Sequence, residues 1–264
     1  MNVYSFINTL AVETGKRLKR MRKGLRLYDL SFKSRRDIVT RADVEIENFI
    51  TNKIKKHFPG HVVLAEELHA MNDKESYDDL WIVDPLDGTI NYVHDFPFYC
   101  VSIAYQSKGK IECGAVYAPV LDELFYARRG HGSYLNKRRI YVSKETNLMD
   151  AMLATGFPYK LDDSRTNNLK PFNTLIKKTR ALRRPGSAAI DLCYVAMGRF
   201  DGFWEFGLKP WDIAAGMIII REAGGRVTDF QGDDDLKDLG ELVASNNHLH
   251  SRLLSTLKPF SNKK

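Results

Sequence analysis

At 264 residues, with 44% hydrophobic side chains and a formal charge of +7, the chain has ample apolar material for one large folded body and too much for a disordered one. It contains no apolar run of bilayer-spanning length, and its opening, "MNVYSFINTLAVETGKRLKRMRKG", mixes Glu, Thr and Asn into a short apolar stretch, unlike a secretory signal. A cytoplasmic protein with no membrane partner is therefore expected. Cys100, Cys113 and Cys193 stand far apart without a CxxC pair, so neither a disulfide framework nor a zinc ribbon is indicated; buried, small and apolar is their expected state.

In chain order, Val3, Phe6, Ile7, Leu10, Val12, Leu18 and Met21 fall on one side of a predicted helix over 3–23. Its basic end, Lys16, Arg17, Lys19, Arg20, Arg22, Lys23 and Arg26, continues into Lys33, Arg35, Arg36 and Arg41. Two readings stand for this stripe: a solvated helix face, or a surface that attracts nucleic acid or a phosphorylated ligand. After a polar loop, Val44, Ile46, Phe49, Ile50 and Ile54 mark a second helix, opened by Thr40 or Asp43 and closed before Pro59-Gly60. "HVVLAEE" and "LWIVD" read as short strands, each ending on acids. The segment 97–136 alternates apolar and polar residues around turns at Lys108-Gly109 and Pro119 to Asp122, as an antiparallel meander does; its G-x-G at Gly130 and Gly132 is explained at least as well by a tight hairpin as by a ligand loop. "AMLATGFPY" predicts a strand, "NNLKPFNTLIKKT" and "GSAAIDLCYVAMGRF" helices, "DGFWEFG" a strand, "WDIAAGMIIIREAGG" a helix stopped by Gly224-Gly225, and "RVTDF" and "LVASN" the last strands. Intermixed helices and strands without repeats or linkers predict a mixed α/β or α+β body.

Apolar strands that stop abruptly at acids place those acids at a sheet edge, where ligand crevices form. Glu66 and Glu67 end "VVLAEE", Asp84 ends "LWIVD" with Asp87 close behind, and Asp212 opens a helix. Taken singly, Asp87 or Asp212 could be only a helix cap and Glu67 only a surface acid. Together, converging carboxylates repel one another unless cations neutralise them, and hard oxygen ligands suit Mg²⁺ or Mn²⁺. Pro85 turns the chain so that the Asp84 carboxylate, the Leu86 carbonyl and the Asp87 carboxylate can meet at one locus, with Asp84 able to bridge two ions. Gly88 and Thr89 then start a short helix whose free N–H groups suit a phosphate.

"DPLDGTINYVH" resembles the first signature of the inositol monophosphatase family and "WDIAAGMIIIREAGG" the second; "AEE", "KSRRDIVTRAD", "PGSAAIDLCYVAMGRFDGFWEFG" and "LVASNN" have counterparts too. The likeness is to the bacterial branch, some members of which also join the ribosomal RNA antitermination complex. The resemblance implies a layered αβαβα sandwich of the α+β class, one such unit over 1–264 with two fused halves meeting near 145–155, and a homodimer. It implies two or three Mg²⁺ ions on Glu66, Asp84, the Leu86 carbonyl, Asp87 and Asp212, with Thr89 and Asp43 orienting the attacking water and Glu67 as a further acid beside Glu66. Lys33 resembles a lysine near the phosphate, Gly186, Ser187, Ala188 and Glu205 match positions that hold the polyol, and Arg183 matches a substrate or interface arginine. Leu86, Asp87, Gly88, Thr89 and Asp212 also fall on the substrate side. Two departures from the pattern are Leu68, where many relatives carry Ser, and Pro185 beside the polyol-binding loop.

The expected reaction is hydrolysis of myo-inositol 1-phosphate by in-line attack of an activated water, with lithium inhibition suggested by the same resemblance. Fructose 1,6-bisphosphate, NADP, histidinol phosphate and 3'-phosphoadenosine 5'-phosphate are alternative substrates. A rival of another class is a protein that binds RNA or the RNA polymerase antitermination complex through its basic helix. Other chemistries fit poorly: Ser187 lacks a G-x-S-x-G elbow, no HExxH or P-loop occurs, and His94 and the tryptophans read as packing or surface.

Overall fold

The computed structural model describes residues 2–24, 30–34, 37–67, 77–158, 167–234 and 240–261, with backbone alone for 30–34 and 37–40. Leu68, Arg26, Arg35 and Arg36 lie outside the described residues, as does the Lys33 side chain. Helix α1 (Val3–Arg22) opens on Asn2, whose side chain accepts the Ser5 N–H at 2.8 Å; of the apolar side expected from its periodicity, Phe6, Ile7, Leu10 and Leu18 are buried and Val3, Val12 and Met21 half-buried. The segment read as a polar loop holds a short antiparallel pair instead, β1 (Leu30–Ser34) and β2 (Asp37–Thr40), before α2 (Arg41–His57).

Seven strands form the larger sheet: β3 (Val62–Ala65), β4 (Asp79–Asp87), β5 (Cys100–Ser107), β6 (Lys110–Ala118), β7 (Glu123–Arg128), β8 (Gly132–Leu135) and β9 (Arg138–Ile140), in sequence order, with only β3 and β4 parallel. The meander expected over 97–136 is β5 to β8, and β9 adds one further antiparallel strand beyond it. Lys108 and Gly109 both take positive φ (49° and 75°), as a tight hairpin turn requires, and the G-x-G at 130–132 is the β7–β8 hairpin. The smaller sheet is built from β10 (Met152–Thr155), β11 (Ala181–Arg183), β12 (Gly202–Phe206), β13 (Arg226–Thr228) and β14 (Glu241–Ser245), in the order β11-β10-β12-β14-β13. The remaining helices are α3 (Thr89–Val93), α4 (Leu169–Leu175), α5 (Ala188–Ala196), α6 (Pro210–Glu222) and α7 (His250–Leu257).

Alternation along the strands sorts the apolar side chains into three layers of core. On β4, Trp81 and Val83 join Phe6, Ile7, Leu10, Ile46 and Ile50 under α1 and α2, while Leu80 and Ile82 face the opposite way. That opposite face meets α5 and α6 (Ile190, Leu192, Ile219), which also cover Phe203 and Ala244 of the smaller sheet. Trp204, Phe206 and Val243 then turn outward to Leu175 of α4 and Leu249, Leu253 and Leu257 around α7. Both sheets are covered on both faces, which explains strands as continuously apolar as "LWIV". The result is the layered αβαβα sandwich of the α+β class. The three cysteines are buried and unpaired, and no helix among the described residues is long and apolar enough to cross a membrane.

Candidate active site

A β-bulge sets the first two acids. Along a regular strand, positions three apart face opposite sides; here Asp84 pairs with Ser102 and Asp87 with Cys100, so two residues of β4 (Pro85 and Leu86) oppose one of β5. The extra residue returns Asp87 to the side of Asp84. The Leu86 N–H donates to Asp84 Oδ1 at 2.9 Å, fixing the turn. Gly88 follows with φ +91°, and a Cβ there would stand 2.9 Å from the Phe98 carbonyl, so only glycine lets the chain enter α3 at this angle.

These groups line a cavity of about 340 Å³ between the two sheets, which Glu66, Asp84, Leu86, Asp87, Gly88 and Thr89 approach from one side and Gly186, Ser187, Ala188, Glu205 and Asp212 from the other. Thr89 donates its hydroxyl to the Leu86 carbonyl at 3.1 Å and to Asp43 Oδ1 at 3.2 Å; Asp43, on the first turn of α2, is buried behind it. Glu67 stands outside the cavity wall with its backbone N–H held by Glu47 Oε2 at 2.7 Å. Lys33 lies on β1. Arg183 is exposed, turns its Nη1 to the Leu182 carbonyl, and does not line the cavity; its neighbour Arg184 does.

The capping alternative for the aspartates proves to be compatible with a place in the cavity. Asp87 caps no helix of its own: its Oδ2 accepts from Ser187 Oγ at 2.6 Å and from the Ala189 N–H at 2.7 Å, so it serves the start of α5. Asp212, the third residue of α6, takes the Lys209 N–H on Oδ2 at 2.6 Å. Each capping bond occupies one carboxylate oxygen.

Three residues that the sequence did not single out complete the walls. Asn91 on α3 donates its amide to the Phe98, Pro185 and Gly186 carbonyls. Asp191 on α5 is buried in the wall with no hydrogen-bond partner on its Oδ1. Gly156 follows β10 directly opposite Glu205. Their signals are long-range contacts, which no local pattern announces.

The acids share a strong electrostatic tension. Burial, followed by repulsion from Glu66, Asp87 and Asp212, pushes the Asp84 carboxyl well above the usual range. Burial raises Asp212 to about 7 against the Lys209 N–H, and raises Glu205 to about 8 with help from Asp212 and Asp87. Asp87 is also raised by burial, although the Ser187 hydroxyl and the Ala189 N–H oppose it. Such a set of oxygen donors, rich in negative charge and poor in buried cations, is chemically suited to a hard divalent cation. Among the described residues no three acidic, histidine or cysteine side chains close on one point as a finished ligand shell. Binding an ion would have to draw the carboxylates inward.

Layered sheets with acids gathered where they meet, beside a helix start suited to phosphate, define a phosphoric monoester hydrolase. The model of the inositol monophosphatase family matches residues 2–260, and the chain belongs to that family. A Nus factor SuhB from Pseudomonas aeruginosa is 41% identical over 252 residues, covering 94% of this chain and 93% of that protein. An inositol-1-monophosphatase from Mesorhizobium japonicum is 41% identical over 248 residues, with 94% and 93% covered. The solved structure of the extragenic suppressor protein SuhB from Bartonella henselae superposes with a TM-score of 0.89 at 40% identity, over 97% of this chain and 98% of that one. The family is metal-dependent.

Proposed function

We propose that the chain hydrolyses myo-inositol 1-phosphate, or a closely similar small polyol phosphate, with Mg²⁺ held by Glu66, Asp84, the Leu86 carbonyl, Asp87 and Asp212. The observation that carries this reading is the gathering of buried Asp84 with the partly buried Asp87 and Asp212 around one cavity, with their carboxyls raised and no buried cation among its described lining residues. When bound, two or three Mg²⁺ ions would supply charge neutralisation for the phosphate and activation of water. The chain's own residues do the rest. The Thr89 hydroxyl, backed by Asp43, orients the attacking water and passes its proton inward, with Glu67 as a further acid behind Glu66. The N–H groups at Gly88 and Thr89, with Lys33, hold the phosphate for in-line displacement without a covalent intermediate. Gly186, Ser187, Ala188 and Glu205 receive the polyol, and Arg183 acts at the substrate side or at a subunit interface.

The deciding experiment is phosphate release from D-myo-inositol 1-phosphate with and without Mg²⁺, in wild type and Asp87→Asn. Metal-dependent turnover that vanishes in the variant supports the site and the reaction class. A folded, Mg²⁺-supplied wild type that works much faster on fructose 1,6-bisphosphate, NADP or another ester moves the substrate assignment there; no turnover on any ester overturns the reading. We read the chain as a cytoplasmic homodimer, which sedimentation checks, and as one functional unit of two halves, the division into halves being supported by the change of sheet between Ile140 and Met152.

A second reading is favoured by the relatives named Nus factor SuhB and by the exposed Lys16, Lys19 and Arg20 on α1 and Lys23 at its C-terminal end: association with RNA or the RNA polymerase antitermination complex. Rescue of a deletion strain by Asp87→Asn, and salt-sensitive RNA binding lost on neutralising Lys19, Arg20 and Lys23, are its expected results.

A further inference from the structure

The smaller sheet places a glycine where a side chain would collide with a functional acid. Thr155, the last residue of β10, pairs in parallel with Trp204 of β12, so Gly156 comes to lie against Glu205. A Cβ built on Gly156 would fall on the Glu205 carboxylate itself, onto both oxygens and the carbon between them. The backbone around Gly156 has no slack to avoid this. Asn168, buried and left-handed at φ 60°, donates its amide to Gly156 O at 2.6 Å and to Thr155 Oγ1 at 2.7 Å, while its Oδ1 accepts the Trp204 Nε1–H at 2.6 Å. Thr155 Oγ1 adds a bond to the Trp204 carbonyl at 2.5 Å. Every polar atom of the Asn168 side chain is engaged, and such a satisfied buried network holds its members to one geometry. Trp204 points to the outer core, so by strand alternation Glu205 points to the cavity.

We propose that Gly156, locked by Asn168, is a specificity-determining position: the space left by its missing side chain sets where the Glu205 carboxylate stands, and that placement selects phosphate esters whose alcohol carries a hydroxyl able to donate to it. This rests on the reading of Glu205 as a polyol-side group. A ring polyol presents such a hydroxyl beside its ester; an aryl phosphate presents none. Because the colliding atoms are the free end of a flexible side chain, a methyl at position 156 moves the carboxylate and leaves the sheet in place.

The test compares kcat/KM for myo-inositol 1-phosphate and p-nitrophenyl phosphate in wild type, Gly156→Ala, Glu205→Ala and the double variant, alongside a crystal structure of Gly156→Ala. The expected result is a ratio of the two kcat/KM values that falls several-fold to about tenfold in Gly156→Ala, carried by KM for the polyol ester, as loss of one hydrogen bond predicts. The crystal structure then has the Glu205 carboxylate displaced and the Asn168 network intact. In the Glu205→Ala background the methyl has room, and adding Gly156→Ala shifts the ratio no further. An unchanged ratio, equal losses on both esters, or an unmoved carboxylate overturns the inference. A wild type that hydrolyses the aryl ester but no polyol ester overturns instead the reading of Glu205 beneath it.

Discussion

The side-chain amide of Asn91 donates to the Pro185 carbonyl at 2.9 Å, and so ties the helix that carries Thr89 to the loop that carries Gly186. The same nitrogen reaches the Phe98 carbonyl at 2.7 Å and the Gly186 carbonyl at 3.2 Å. One residue thus links α3, beside the larger sheet, to the loop that precedes α5, beside the smaller one. Asn91→Ala leaves these carbonyls without their donor, and we expect a loss of about 1–3 kcal/mol in stability. Misplacement of the loop should lower kcat/KM roughly ten- to a hundredfold. Asn91→Asp, which sets a carboxylate against carbonyl oxygens, should be worse on both counts. Thermal melts with steady-state kinetics check this, and an aspartate variant equal to wild type would remove Asn91 from the account.

Ser187 holds Asp87. Its hydroxyl and the Ala189 N–H converge on a single oxygen of that carboxylate, at 2.6 and 2.7 Å, whereas the Cys100 thiol approaches only to 3.8 Å. If Asp87 binds Mg²⁺, groups that orient it tune affinity, and their removal typically costs 10–100-fold. Ser187→Ala should therefore raise the Mg²⁺ half-saturation about tenfold or more with a smaller effect on kcat at saturating metal, and Ser187→Thr should restore it. Cys100→Ala should change it less than about threefold, since a thiol at that distance is a weak donor. Calorimetric titration of Mg²⁺ into each variant distinguishes them; equal affinities for Ser187→Ala and wild type would sink the assignment.

How much of this was legible depended on the range of the interaction that decided each feature. Helices α1 and α2 are decided by their own periodicity, and the meander by alternation and a Lys-Gly turn, so local pattern sufficed. The acids at 66, 84, 87 and 212 stood out because an apolar run that stops at a carboxylate is itself a local anomaly. The pair β1–β2 was missed because "LSFKSRRDIVT" is polar and forms a sheet of only two strands, and β11 because its "ALR" is an edge strand with little buried. The closing helix α7 was missed too, following directly on "LVASNN". Asn91, Asp191 and Gly156 could not be read at all. Asn91 meets its acceptor at Pro185 some ninety residues on, and Gly156 gains meaning only once Glu205 is found opposite it.

Gly114, on β6, marks a close approach of the larger sheet to α6. A Cβ there would stand 2.8 Å from the Ala215 Cα and 2.9 Å from Ile218 Cγ2, and the first of these is backbone that cannot rotate away. Gly114→Ala should destabilise by about 1–3 kcal/mol through overpacking, which for a chain of this size is a drop of roughly 2–10 °C in Tm. Among the described residues nothing lies within 4 Å of a Cβ built on Gly240, and it takes no positive φ, so the cost of Gly240→Ala should stay within about 0.5 kcal/mol. Differential scanning calorimetry of the two checks the contrast. Equal melting points would mean that the sheet and α6 can separate freely, contrary to the close packing that carries Asp212.

His250 should make the fold sensitive to mild acid. It opens α7, is buried, and has both ring nitrogens in use: Nδ1 meets Ser245 Oγ of β14 at 2.8 Å and Nε2 meets Thr228 Oγ1 of β13 at 3.0 Å. The charged group that faces it is Arg226 of β13, and burial, aided by that cation, lowers its pKa from 6.5 to about 4. The folded state therefore favours the neutral ring. Above pH 6.5 neither state binds the proton, and the contribution to stability is complete; between 6.5 and 4 the unfolded chain takes up a proton that the folded chain refuses, and the contribution is lost. At 1.36 kcal/mol per unit, the full shift corresponds to about 3 kcal/mol. His250→Asn should be less stable than wild type at neutral pH, and its stability should fall less steeply between pH 6.5 and 4, so the gap between the two narrows as the solution is acidified. Urea unfolding at half-unit pH steps measures both slopes. Parallel slopes would show that the ring titrates alike in both states, and that any acid sensitivity comes from other groups.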